Sequence, residues 1–206
     1  MAHVASFVSI VPVAVGISRR AWRNPPVRIL WLWLLVIAAV NIITTAMGAY
    51  AIRTSALMLY SDIVLAWLGL LALSQSTTNQ RIRTVFRALG VAYSCWWVFC
   101  VIVLDNQHSF SSYSYPAVSV VLTIAACILL VVLVRDGASL REWRVLVGLG
   151  TLISFASFVP LGPVSEQLYP TQPRTVLLLW ELNAVLLILG SILFTLALKW
   201  APNPPP

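Results

Sequence analysis

Two carboxylates, Asp62 and Glu181, sit inside long apolar runs of a chain that holds 13 Lys and Arg against 6 Asp and Glu. An acid in such surroundings is costly, so it implies a partner or a task such as holding a proton or a polar ligand. Each lies five or six residues past the start of its run, near Leu57 and Thr175. On a helix that depth is roughly 8–9 Å. Asp62, Ala66 and Gly69 follow i, i+4, i+7, which puts the acid on a small-residue face suited to close packing inside a bundle. Asn41, Thr44, Thr45 and Gly48 make a second polar face, and Gly150, Ser154 and Ser157 a third. Gly90, Ser94 and Trp97 make a fourth. In the last run Asn183 shares its side with Leu187 and Gly190, close to Ser191, while Glu181 points nearly the opposite way at about 100° per residue. The spacing predicts Asn183 packed within the protein, and Glu181 turned towards a neighbouring helix, a partner or the outer interface.

These faces overlap in depth, which predicts a polar cavity open or nearly open to the outside. Its candidate ligand- or proton-binding residues are Asp62, Asn41, Thr44, Thr45, Ser154, Ser157, Glu181 and Asn183. Against that stands plain packing, because Ser and Thr in membrane helices ordinarily bond their own backbone.

Catalytic signatures are missing. There is no HExxH, GxSxG, P-loop or GxGxxG, and no His/Cys cluster at metal-ligand spacing. The sequence therefore reads as non-enzymatic, with no catalytic residue, no metal and no cofactor. His3 and His108 read as solvated. Cys95, Cys100 and Cys127 lie in apolar runs and read as small core residues. Lys199 stands at the end of the last run, so no mid-helix lysine is available for a retinal Schiff base.

The elements that carry these residues follow from composition. Of 206 residues 60% are apolar and 9% charged, with a mean hydropathy of +0.92. Soluble domains carry about 25% charged residues, so this composition describes a polytopic, all-α membrane protein. Apolar stretches cover roughly 4–18, 27–52, 57–75, 85–104, 116–134, 145–162 and 175–199. A membrane helix needs about 17–25 apolar residues. Five stretches meet that easily, the sixth is marginal, and the first is short and contains Pro12. The first lacks a basic leading region, which argues for a retained helix rather than a cleaved signal peptide. The expectation is one seven-helix domain over 1–200 and a proline-rich stub over 201–206, without internal repeats.

Charge supplies an independent test. Arg19, Arg20, Arg23 and Arg28 fall between stretches one and two, and Arg81, Arg83 and Arg87 between three and four. Arg135, Arg141 and Arg144 fall between five and six, and Lys199 at the tail. Only Arg53 and Arg174 fall on the other side. The alternation predicts seven spans, with the N-terminus outside and the C-terminus cytoplasmic. The basic clusters then face anionic headgroups of an inner (plasma) membrane rather than nucleic acid. Loops at 105–115 and 163–174 are expected outside. Trp22, Trp31, Trp143 and Trp200 on one side, and Tyr50, Tyr60, Tyr113, Tyr115 and Tyr169 on the other, read as interface anchors.

The segments "VPVAVGISRRAWRNPPVRILWLWLLVIA", "LMLYSDIVLAWLGLLAL", "FSSYSYPAVSVVLTIAACILLVVLV" and "LLLWELNAVLLILGSILFTLAL" resemble, in hydropathy pattern and a few residues, a broad group of bacterial seven-helix inner-membrane proteins without assigned chemistry. The resemblance implies architecture and location only. The chain also resembles, more weakly, the seven-helix sensory halves of bacterial signalling proteins, which continue into an output domain that is not seen here. The functional expectation is a module that senses a small ligand or a proton through a membrane-protein partner or a homo-oligomer. The alternatives are an accessory subunit of a larger membrane complex, and a small-solute or proton transporter.

Overall fold

Proline and asparagine set where the helices begin. The computed structural model describes residues 7–50, 55–104 and 114–202. His3, Arg53, His108, Tyr113 and the end of the proline-rich stub lie outside the described residues. Helix α1 spans Ile10–Ser18, and a short turn of helix at Ala21–Arg23 leads into α2, Pro25–Ala49. Then come α3, Ser55–Gln75, and α4, Gln80–Phe99, which ends in a widened turn at Cys100–Leu104. The rest is α5, Ser114–Arg135, α6, Trp143–Ala156, α7, Phe158–Leu168, and α8, Pro173–Trp200. Helices α2 and α8 start on proline, whose missing N–H costs nothing in the first turn. Asn79 caps α4 by accepting the Arg81 N–H at 3.0 Å. Gly137, at φ 75°, ends α5 with the paired bonds Gly137 N to Val134 O and Ala138 N to Leu133 O. That left-handed turn is the usual glycine stop. Sequences as rich in Val and Ile as α5 still form helices in lipid, because only a helix satisfies every backbone group within one segment.

Six helices among the described residues are long and apolar enough to cross a membrane: Pro25–Ala49, Leu57–Gln75, Gln80–Val103, Pro116–Arg135, Trp143–Leu161 and Pro173–Trp200. Helix α1 is shorter. Its nine residues rise about 14 Å, against a hydrocarbon core of about 30 Å. The sixth span is interrupted at Ser157. Pro160 has no N–H to give the Ala156 carbonyl and its ring crowds that oxygen, so the helix breaks there and resumes as α7. The outer loop expected over 163–174 is corrected accordingly, since the chain stays helical to Leu168 and turns only at 169–172.

Helix α8 packs most extensively on α6 and also holds α1, while α3 touches α2, α4 and α5. Two long-range bonds fasten the connection between α1 and α2 to the end of α8. Arg19 donates to the Lys199 carbonyl at 2.9 Å, and Asn24 to the Pro202 carbonyl at 2.5 Å. The arginines of the 19–28, 81–87 and 135–144 segments lie in or beside the connections that lead into α2, α4 and α6. Arg144 pairs there with Glu142 at 2.6 Å, and Arg83 bonds the Thr77 carbonyl at 2.9 Å.

Candidate functional site

The crossing of α6 and α8 is set by glycine. A Cβ on Gly190 would overlap the Ser154 hydroxyl and stand 3.2 Å from the Gly150 carbonyl oxygen. Without a side chain there, the two backbones approach closely enough to bring Ser154, Ser191 and Asn183 together. Beside this crossing lies a cavity of about 200 Å³. Helix α2 contributes Leu34, Ile37 and Asn41 to its wall, and α6 contributes Ser154 and Phe155. Helix α8 contributes Trp180, Asn183, Ala184, Leu187, Ser191 and Phe194. Phe158 of α7, Pro12 of α1 and the preceding Ser9 complete it. Trp33, fully buried, closes one side by stacking on Phe155 at 5.8 Å and meeting Phe194 edge-on at 5.7 Å. Near the α7 end, Trp180 contacts Phe158 at 6.4 Å and donates its indole N–H to Ser165 Oγ at 3.2 Å.

Hydrogen-bond accounting separates this cavity from the rest of the bundle. Asn183 is only 3% exposed, and its Oδ1 accepts from the Ser157 hydroxyl at 2.6 Å. Its amide nitrogen, the Asn41 amide and the hydroxyls of Ser154 and Ser191 form no hydrogen bond among the described residues. These groups are not sealed off. The fully enclosed side-chain polar atoms without a partner, among the described residues, are Trp33 Nε1 and Thr123 Oγ1. Four residues with unused polar groups therefore line the same space, two of them buried (Ser154 and Asn183) and two half-buried (Asn41 and Ser191), whereas buried polar groups are normally paired.

Several polar residues elsewhere are paired. Thr44 donates to the Val40 carbonyl at 2.8 Å, Thr151 to Val147 at 2.8 Å and Ser61 to Met58 at 2.9 Å. Between α3 and α4, Trp67 Nε1 donates to Ser94 Oγ at 3.0 Å, and Ser94 donates to the Gly90 carbonyl at 2.9 Å. Trp97 Nε1 donates to the Leu59 carbonyl at 2.8 Å.

Of the residues expected to share one cavity, Asn41, Ser154 and Asn183 line it, and Ser157 is bonded to Asn183. Asp62, Thr44, Thr45 and Glu181 are not on its wall. Asp62, 1% exposed, acts electrostatically on Tyr93 of α4 and belongs to the α3/α4 seam. Thr45 is half-buried and Glu181 is exposed. The expected set is thus divided: Asn41, Ser154 and Asn183 share the cavity between α2, α6 and α8, while Asp62 stands away from its wall. Shared depth does not make shared neighbours. Helix α8 does turn Asn183 inward and Glu181 outward, as 100° per residue requires. Ser9, Ser191, Trp180 and the three phenylalanines are wall residues that spacing alone does not single out. Trp180 carries one usable signal, because it lies several residues inside an apolar run rather than at its edge.

No family model, no curated protein and no solved structure matches the chain. Function must therefore be read from the site itself. Among the described residues no group of His, Cys, Asp or Glu is arranged to hold a metal ion. Among the described residues the cavity wall carries hydroxyls and amides but neither acid nor base. Such a set can hold a neutral molecule by shape and hydrogen bonds. It offers no nucleophile–base pair.

Proposed function

We propose that the chain is a seven-helix inner-membrane module that binds a small ligand in the α2/α6/α8 cavity and passes its occupancy to a partner protein. In this reading the apolar stretch over 4–18 supplies the seventh span, with the N-terminus outside and the C-terminus in the cytoplasm. Support for the orientation comes from the alternation of basic residues along the sequence, with Arg19, Arg83, Arg144 and Lys199 all falling on one side, where anionic headgroups would meet them. The observation that carries the binding reading is the set of four polar groups left without hydrogen bonds around one 200 Å³ space. In lipid such groups are destabilising until something fills the space.

Native mass spectrometry of protein released from mild detergent tests the binding. The expected result is a small molecule retained by the wild-type chain and lost from a cavity-filling Ala184→Leu variant. An empty cavity in both would overturn the reading. A second reading, an accessory subunit of a membrane complex, is favoured by one observation. Glu181 is exposed on a side of α8 that also exposes Leu177, Leu178, Leu182 and Val185, where a carboxylate gains from a polar neighbour on another chain.

A further inference from the structure

The cavity wall also constrains the chemistry of what it holds. Among the described residues no Asp, Glu, Lys, Arg or His lines it. An ion would enter without a counter-charge, at a cost of several kcal/mol in so apolar a setting. Its size is also limiting. An apolar protein cavity of about 150 Å³ takes up benzene, so about 200 Å³ suits a molecule of about eight or nine heavy atoms by the same scale. Phe155, Phe158 and Phe194 supply aromatic wall for a flat or apolar body.

The polar side has a direction. The Ser157 hydroxyl occupies Asn183 Oδ1 at 2.6 Å, which holds the amide with its two N–H donors unused. An asparagine that is 97% buried and lines the cavity with donors unspent asks for an acceptor oxygen. Ser154 and Ser191 add hydroxyls that can donate as well. We infer that the site takes a small neutral molecule with an apolar, ring-sized body and a carbonyl or hydroxyl oxygen that accepts from the Asn183 amide. Ser157 acts as a positioning residue that fixes which edge of that amide is presented. This inference rests on the binding function proposed above and narrows it.

Four ring-matched probes separate the possibilities: toluene, benzamide, benzoate and benzylammonium, titrated into wild-type protein in nanodiscs and followed by calorimetry. Protein-free nanodiscs correct for partition into lipid. Benzamide should bind about tenfold more tightly than toluene, the worth of one or two hydrogen bonds, and the two ions should not bind. Asn183→Leu should bring benzamide down to the toluene level and leave toluene unchanged. Ser157→Ala should weaken benzamide alone, because the freed amide can turn over. Equal binding of toluene and benzamide would overturn the acceptor assignment, and tight binding of either ion would overturn neutrality. Xenon uptake, read by nuclear magnetic resonance, separates this failure from the larger one. Xenon entry with no aromatic probe bound overturns the ligand class while the cavity stands. No xenon entry overturns the cavity as a binding site.

Discussion

The seam between α3 and α4 and the cavity between α2, α6 and α8 are built from similar residues at similar helical spacings, and they use them in opposite ways. In the seam, Trp67 bonds Ser94, Ser94 bonds the Gly90 carbonyl and Trp97 bonds the Leu59 carbonyl. Gly90 lets the Trp67 ring lie against α4, about 3.0 Å from where a Cβ would be. Each of those polar groups is paired, two of the bonds crossing between the helices and the Ser94 hydroxyl returning to its own helix. In the cavity, a glycine again brings two helices close, but Ser154 and Ser191 do not bond back to their own helices, and Asn183 spends only one end of its amide. The seam groups arrive already paired, whereas those beside the cavity keep hydrogen-bonding capacity in hand.

Substitutions can break or sharpen that contrast. The largest effect is expected for Trp33→Ala, which removes a fully buried ring that backs both Phe155 and Phe194. It should cost about 3–5 kcal/mol, read as thermal unfolding in detergent, and should raise xenon uptake by enlarging the cavity. Ser94→Ala comes next, at about 1–3 kcal/mol, because it strands the Trp67 indole N–H in the seam. Asn183→Leu should reverse the sign. Removing an amide with unused donors should leave stability unchanged or raise it by up to about 1 kcal/mol, with Ser157 turning to a carbonyl of its own helix. If Asn183→Leu destabilises as much as Ser94→Ala, the two regions are alike and the cavity is only packing. The smallest effect belongs to Glu181→Gln on the exposed side of α8, within about 0.5 kcal/mol for the isolated chain. A change in what co-purifies, at unchanged stability, would show that Glu181 meets another chain.

Much of the architecture is legible in the sequence because lipid leaves few options. Apolar run length gives the spans, prolines at 25 and 173 start two helices, and Gly137 stops one. Within a helix, rotation is legible too. The step of about 100° between Glu181, Leu182 and Asn183 is enough to send the first outward and the last inward. What spacing does not contain is which helix stands opposite which. Asp62 and Asn41 lie at comparable depths, yet Asn41 lines the cavity with α6 and α8 and Asp62 does not. The helical segment after Ser157 was hidden for a different reason. Pro160, Gly162 and Pro163 carry the composition of a loop, and only packing against α5 and α8 keeps those residues helical.

The clasp between Arg19 and the Lys199 carbonyl, together with that between Asn24 and the Pro202 carbonyl, joins segments that lie far apart in sequence. Pro12 and Ser9 line the cavity from α1 and the residue just before it, and Ser191 and Phe194 line it from α8. Six helices separate α1 from α8 in chain order, yet the two pack together. Without α8, the wall would lose its largest share of residues and α1 its main neighbour. The cavity is thus enclosed only when distant segments meet, and the clasp is the stitch that holds them side by side.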